Sequence, residues 1–377
     1  MKKQISKILF FLFAVSIIAG ISIYSCKKDN SGPSVNKTAL EDSLTVANTL
    51  YSGATEGVAL GDFQYGTKVV LDTVIAQVTR VYNNTSSTQA QINAALANLE
   101  AGMTAFRSKT IVPVDQADLI AQWTFSEGTG TTVKDSKSQL VGTLVAGSSS
   151  FYPNTGALPT WTADRYGHPN QALHFGNGSH VEVPPSALLE PTSITISLWV
   201  NADSVYCNAY MISQNWWWGY KFQLQCQAKP FMTWVSAFTP GDTSNIVYSN
   251  LDYNQQTGIS INTWHHLAVT YTSGTEVFYV DGAAIYTWTA NNTTATNVTG
   301  SMTYIGAEQP FLIGAGYPNA YTNAKSFGTN APLGDGPGGW GIAPHFIGSM
   351  DEIRIYKVAL SAAQISSIYA LEAPAAK

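Results

Sequence analysis

The side chains in this chain best placed to do chemistry are two carboxylates set among apolar residues and one run of aromatics. The segments Leu119-Ile-Ala-Gln-Trp123-Thr-Phe125-Ser-Glu127 and Phe346-Ile-Gly-Ser-Met-Asp351-Glu-Ile353-Arg-Ile355-Tyr both read as strands. Side chains alternate along a strand, so simple parity puts Glu127 with Trp123 and Phe125, and Asp351 with Ile353 and Ile355. A carboxylate on an apolar face needs a cation or hydrogen-bond donors, because burying it unpaired is costly. Hard oxygen ligands at a loop-rich rim suit calcium, which makes Glu127 and Asp351 candidate ligands of a structural calcium ion. The other reading is that both only cap backbone N–H groups. Asp135 reads as a turn residue.

The aromatic run is Asn215-Trp216-Trp217-Trp218-Gly219-Tyr220, at the expected tip of a hairpin. Three consecutive Trp cannot share one core, because alternation sends the middle one to the opposite face. Exposed apolar clusters mark binding surfaces, and aromatic faces stack on sugar rings. A second insertion, from Glu308 to His345, is Gly/Pro-rich and carries Tyr317 and Trp340. Loops of that length are usually functional. Trp216, Trp217, Trp218, Tyr220, Tyr317 and Trp340 are therefore the candidate ligand-binding residues. The competing reading is that the loop packs over the Trp hairpin.

Several chemistries lack their residues. No Glu-x-Asp occurs in the chain, so the paired carboxylates of a retaining glycoside hydrolase are missing from a single strand face. There is no Gly-x-Ser-x-Gly elbow, no His-Glu-x-x-His helix and no Cys-x-x-Cys pair. With a net charge of -5 and 11% charged residues, the chain offers no basic patch for nucleic acid. His174 and His180 flank a Gly-Asn-Gly turn and read as surface or packing residues.

The elements that must hold these residues fall into two parts. Residues 37–112 read as three short amphipathic helices, a small bundle. Leu40, Leu44 and Ala47 mark the first; Val70, Val74, Val78 and Val81 with Leu71 and Ile75 mark the second. Ile92, Leu99 and Met103 mark the third, with Ser87-Thr88 as its cap. All ten Trp lie at or after Trp123, a composition shift that sets a boundary near residues 113–118. From 119 onward come short alternating strands broken by Gly, Asn, Thr and Pro, with Asp281-Gly282 as a hairpin turn. The fold class is mainly β: a two-sheet antiparallel jelly-roll sandwich behind a small N-terminal three-helix bundle.

Residues 1–25 read as an export signal. Lys2, Lys3 and Lys7 precede an apolar run from Ile8 to Ile23 that is short for a transmembrane helix. The small residue before Cys26 resembles a bacterial lipobox. The resemblance implies cleavage before Cys26, lipidation of that residue, and anchoring in the outer membrane. The polar tether 26–36 partly resembles surface-export signals of Bacteroidetes lipoproteins, which implies outward exposure. Cys207 and Cys226 would then meet an oxidising compartment. They are equidistant from the Trp216-Trp217 midpoint, so a symmetric hairpin would set them opposite each other within disulfide reach. Two free buried thiols are the other reading.

Two family resemblances cover most of the chain. The stretch from Gly61-Asp-Phe-Gln-Tyr65 through Ser87-Thr-Gln-Ala-Gln91 to Ala105-Phe106 resembles the FIVAR-type helical module of bacterial surface proteins. Residues 117–371 resemble a laminin-G-like domain of the concanavalin A-like lectin/glucanase group. The motifs are Trp123-Thr-Phe-Ser-Glu-Gly128, Ala172-Leu-His-Phe175, Ile196-Ser-Leu-Trp-Val200, Trp264-His-His-Leu-Ala, Tyr279-Val-Asp-Gly282 and Gly348-Ser-Met-Asp351-Glu-Ile-Arg-Ile-Tyr356, in that order. This resemblance implies adjacent first and last strands, a calcium site using Asp351, and a structural role for His265 and His266 beside Trp264. It implies a non-catalytic surface lipoprotein that captures glycan, the alternative being a module that binds other cell-surface proteins. Cys26→Ala is expected to abolish metabolic labelling by an alkyne fatty acid. Equal labelling of mutant and wild type would sink lipidation at that residue.

Overall fold

The structure, a computed structural model, describes residues 35–147, 156–204, 207–215, 218–237, 246–289, 300–305, 309–320 and 345–374, with the single residues 239, 244 and 291. Cys26, Trp216, Trp217 and Trp340 lie outside the described residues. Three helices come first: α1 (Thr38–Gly53), α2 (Thr67–Asn83) and α3 (Gln89–Arg107). Thr88 starts α3 with a capping box: its side chain accepts from Gln91 N while the Gln91 side chain accepts from Thr88 N. Leu40, Leu44, Leu71, Ile75, Val78, Ile92 and Leu99 meet in a core of their own. On α2 the stripe that meets both neighbours is Leu71-Ile75-Val78, whereas Val70 is exposed. Val74 and Val81 pack beside that stripe, so of the expected face Val70 alone lies outside it.

The strands, numbered β1 to β17 along the chain, form two antiparallel sheets. The first runs β14 (Ala283–Thr289), β13 (Thr275–Val280), β12 (His265–Thr272), β7 (Ile194–Ala202), β17 (Gly348–Tyr356), β5 (Ala172–Phe175), β4 (Thr160–Thr162), and β1 (Leu119–Trp123) also pairs with β17. The second runs β11 (Ile246–Asp252), β10 (Lys229–Ala237), β9 (Tyr220–Gln225), β8 (Ala209–Gln214), β16 (Phe311–Ile313), β6 (His180–Val183), β3 (Val141–Val145), β2 (Thr132–Lys134), with β15 (Ser301–Met302) beside β10. Residues of the two inner faces pack into one core that includes Trp123, Phe175, Ile196, Phe222, Trp234, Phe278, Phe311 and Ile353. The jelly-roll-like sandwich and the pairing of first strand with last are as expected.

Strand parity fails at two places, each at a left-handed residue. Phe125 has φ 49°, and β1 ends at Trp123, so Glu127 lies beyond the strand and is exposed. In β17, Glu352 has φ 50° and sits in a bulge between Asp351 and Arg354. A bulge inserts one extra residue and shifts the alternation. Met350 and Ile353 therefore both enter the core, while Asp351 pairs with Trp199 on the outer face. Asp351 does not share a face with Ile353 and Ile355.

That outer face is covered by α4 (Ala362–Glu372), which starts with a second capping box from Ser361 and Gln364. Leu360, Ile365 and Ile368 pack on Ala268, Tyr279 and Tyr356. Beneath α4, Arg354 pairs with Glu352 and Glu372, and the Trp199 indole N–H donates to Glu372 (2.8 Å). His266, fully buried here, lies 2.8 Å from the Ser197 hydroxyl, and burial pushes its pKa down to about 3. The helical bundle contacts the other side of α4. Gln64 donates to the Ser366 hydroxyl (2.7 Å), and Val112 N donates to the Ser367 hydroxyl (2.9 Å).

Glu276 is an anomaly inside the core. Its position on β13 is two residues from Phe278, so both face inward. It is fully buried, and neither carboxyl oxygen has a hydrogen-bond partner. Desolvation first, and the Asp252 charge second, hold its pKa well above the ordinary carboxylate value. The folded state keeps a proton that the unfolded chain releases above its ordinary pKa. Stability must therefore fall as pH rises from that ordinary value toward the folded one, by at most about 1.4 kcal/mol per pH unit. Denaturant titration from pH 5 to 8 is expected to show a steeper fall in wild type than in Glu276→Gln, where only the share of other raised carboxyls such as Asp351 remains. Identical slopes in the two proteins would contradict the assignment.

Candidate functional site

The outer face of the second sheet carries the residues with ligand-binding chemistry. Along β9 and β10, Tyr220, Phe222, Met232 and Trp234 point into the core. Their neighbours Lys221, Gln223, Phe231, Thr233 and Val235 must point outward. Register extends this row. Asn250, Thr233, Lys221, Ser213, Leu312, Glu182 and Thr143 are successive cross-strand partners. Most of the row is polar, and it is knitted together. Lys221 donates to the Tyr210 hydroxyl (2.9 Å), the Thr233 hydroxyl to Asn250 (2.7 Å), and Gln223 to Asn208 (3.0 Å).

The middle of this face is roofed. The segment after β16 crosses it: the Ser213 hydroxyl donates to Gly316 O (3.4 Å), and Asn319 N donates to Glu182 (2.8 Å). Gly316 approaches so closely that a Cβ there would lie 2.6 Å from the Tyr210 ring. Lys221 is consequently only 2% exposed.

The open part lies along β11, at the end of the sheet. Tyr248, Asn250 and Asp252 alternate onto the outer face about 7 Å apart. Trp218 adds its ring edge-on to Tyr248, with centroids 6.5 Å apart. Both rings are accessible, at 40% and 39%. Asn250 spends its carbonyl oxygen on Thr233, and Asp252 accepts from Asn254 N (2.8 Å). The result is a shelf of two aromatic faces followed by an amide and a carboxylate.

Not all of the expected aromatic site is on that shelf. Trp218 is. Tyr220 is fully buried in the core with its hydroxyl donating to Leu189 O (3.2 Å), because it pairs with Trp234 on the inward side of the hairpin. Tyr317 is buried as well, within the segment that roofs the sheet. Tyr248 was not singled out from sequence. Its signal was the alternation Val247-Tyr248-Ser249-Asn250 in a segment without an obvious apolar period. Cys207 and Cys226 form a disulfide at the far end of the β8–β9 hairpin, in the register that pairs Ala209 with Leu224.

The expected calcium ligands have different partners. Asp351 forms an ion pair with Arg165 beneath α4, and the side chains of both are nearly inaccessible. Burial pushes the Asp351 carboxyl up to about 7, against the pull of Arg165. Glu127 accepts from Lys134 N (2.7 Å) in its own loop. The two carboxylates are thus not assembled into one oxygen cage, for the parity reasons given above. No group of three or more His, Cys, Asp or Glu side chains that could hold a metal ion occurs among the described residues. Asp135 is a buried turn residue whose carboxylate accepts from Gln122, Lys137, Ser138 and Leu140 N–H groups.

Two of the described carboxylates on this face, Glu182 and Asp252, are too far apart to act as a glycosidase pair. Glu182 and Asp252 stand on strands five positions apart, about 24 Å along the sheet, whereas glycosidic hydrolysis needs carboxyl groups about 5–10 Å apart. Burial pushes Glu182 up, but hydrogen bonds from His180 and Asn319 N outweigh it and leave the carboxyl below its ordinary pKa.

Residues 175–318 match the family model of the concanavalin A-like lectin/glucanases superfamily. Over these residues the sandwich has a concanavalin A-like fold. Among solved structures, domain 4 of AbnA, a GH43 extracellular arabinanase from Geobacillus stearothermophilus, in complex with arabinotriose, is similar at 18% identity and TM-score 0.43, covering 67% of this chain and 98% of that one. The binding domain of Paraclostridial Mosquitocidal Protein 1 is similar at 13% identity and TM-score 0.40, covering 67% and 52%. The botulinum neurotoxin serotype G binding domain gives 13% and 0.40, covering 67% and 50%. The chain thus spans about half the length of each toxin binding domain. No curated protein matches it.

The Arg165–Asp351 pair generates a clear expectation. Removing one partner of a buried ion pair leaves an uncompensated charge and costs about 3–5 kcal/mol. Asp351→Ala is therefore expected to lower the melting temperature by the same amount in calcium and in chelator. A loss seen only when calcium is present would return Asp351 to the role of metal ligand.

Proposed function

We propose that the sandwich captures a glycan on the β11 shelf, without cleaving glycosidic bonds. The observation that carries this reading is the exposed Trp218–Tyr248 pair beside Asn250 and Asp252. Aromatic faces supply area at little entropic cost, and the amide and carboxylate supply the hydrogen bonds that orient sugar hydroxyls. Trp216 and Trp217 adjoin Trp218 in sequence and belong to the same proposed site, as does Trp340. The proposed setting is a lipoprotein held by Cys26 at the outer membrane, supported by the basic and apolar N-terminal residues and the small residue before Cys26. A structural calcium ion, should this chain bind one, would act on stability rather than on the glycan.

Trp218→Ala and Tyr248→Ala remove accessible rings. Folding is expected to change by no more than about 0.5 kcal/mol. Glycan affinity is expected to fall by about 2 kcal/mol, near thirtyfold, as for an aromatic anchor at a binding hot spot. Affinity electrophoresis against immobilised polysaccharides, with melting curves on the same samples, reads both. Unchanged retardation by every polysaccharide that wild type binds would remove the shelf from the site. Absence of any glycan binding by wild type, with capture of a surface protein instead, would favour the adhesion reading.

A further inference from the structure

A second site lies beyond the end of β11, where β12 begins and the β13–β14 hairpin turns. Asp281 occupies that turn at φ 49° and is fixed from two sides. Its N–H donates to His266 O (2.8 Å), and its Oδ1 accepts from His266 N (2.9 Å). The remaining oxygen, Oδ2, lies 2.8 Å from Nδ1 of His265. The far nitrogen of the same ring, Nε2, lies 2.7 Å from the hydroxyl of Ser260. A carboxylate only accepts, so Nδ1 of a neutral imidazole must carry the proton, and Nε2 must then accept from Ser260. Serine, histidine and aspartate form one directed chain of hydrogen bonds, with the hydroxyl proton already pointing at a base.

The loop that presents Ser260 is held rather than loose. Tyr253 N, Ile259 N and Asn262 N donate to Pro230 O, Ala228 O and Ala202 O. Gly258 is pressed on the chain below, where a Cβ would lie 2.1 Å from Gln227 O. Ile259 and Tyr253 are buried, while Ser260 between the anchors is exposed. Ser260 and His265 line a cleft of about 450 Å³. One wall of it is apolar, from Tyr253, Ile259, Val280 and Ile285; Gln255 and Gln256 bring amide donors to the same cleft.

We propose that Ser260, His265 and Asp281 form a hydrolytic site for esters of short carboxylic acids. Ser260 Oγ attacks the ester carbonyl carbon as His265 Nε2 takes its proton. The carbonyl oxygen gains the negative charge in the cleft that Gln255 and Gln256 also line. Collapse breaks the bond to the alcohol oxygen, and the alcohol leaves with the proton from His265. Water then attacks the acyl-serine by the same route, releasing the carboxylic acid and restoring the Ser260 hydroxyl. Ester and water give acid and alcohol, with no other reactant. This chemistry spares glycosidic bonds and is independent of the β11 shelf.

The test uses the full chain with a fluorophosphonate probe and 4-nitrophenyl acetate. Mapping by mass spectrometry is expected to find the phosphonate on Ser260. Turnover of the acetate is expected to fall at least about a hundredfold in Ser260→Ala and in His265→Asn, the lower range for a lost base. Ser260→Ala removes only an exposed hydroxyl, and its melting temperature should match wild type. Labelling of wild type requires no variant, so a folding defect in His265→Asn does not blunt the test. Failure of the probe to modify Ser260 overturns the proposal. So does acetate turnover that persists undiminished in Ser260→Ala.

Discussion

Strand β17 is the constraint on which the sandwich depends. One edge pairs with β7 along nearly its whole length, from Gly348 opposite Ala202 to Tyr356 opposite Thr195. The other edge is divided: Gly348 to Met350 pair with β5, and Ile353 to Tyr356 pair with β1. A late segment of the chain therefore closes the sheet over its earliest strand. Its inward residues Met350, Ile353 and Ile355 join the main core, and its outward residues Asp351 and Arg354 bind Arg165 and Glu372. Without β17, the first sheet loses its centre, and α4 loses the floor on which it lies.

The two outer faces of the sandwich are treated differently. That of the first sheet is closed by α4 and satisfied by buried ion pairs, and its far side meets the helical bundle through Ser366 and Ser367. Among the described residues, that of the second sheet is roofed in the middle by Gly316 to Asn319, while Tyr248 on β11 and the neighbouring Trp218 are exposed. Most of the buried polar groups on both faces find partners close by, which offsets their desolvation, with Gln223 Oε1 and His266 Nδ1 among the exceptions. The exposed aromatics remain where no such cover is described.

Much of this was legible in the sequence. Period-two alternation identified the strands, the 3.6-residue period identified the bundle, and Asp281-Gly282 marked a true hairpin turn. Cys207 and Cys226 were placed by the symmetry of their hairpin. The failures have one physical root. Alternation assigns faces only while the backbone stays extended, and Phe125 and Glu352 leave that region. Neither is a glycine, so composition gives no warning. Tyr220 was misplaced because the turn between Asn215 and Tyr220 set its parity inward. The Ser260–His265–Asp281 chain was invisible for a different reason: it joins a loop, a strand start and a hairpin turn, which only the folded sheet brings together.

The bulge at Glu352 changes what kind of variation β17 can absorb. Substitutions on the strand alter one contact at a time. Loss of Glu352 alone would leave regular pairing with the faces kept, since Asp351 would stay opposite Trp199, Arg354 opposite Ser197, and Ile353 and Ile355 inward; loss of a further residue would turn Ile353 and Ile355 outward or force the strand to slide along β7 and β1 together. Chain length through this segment can therefore shorten by one residue, at the bulge, but not by two. Among related sequences, a one-residue gap should be tolerated at Glu352 before it is tolerated anywhere else along β17.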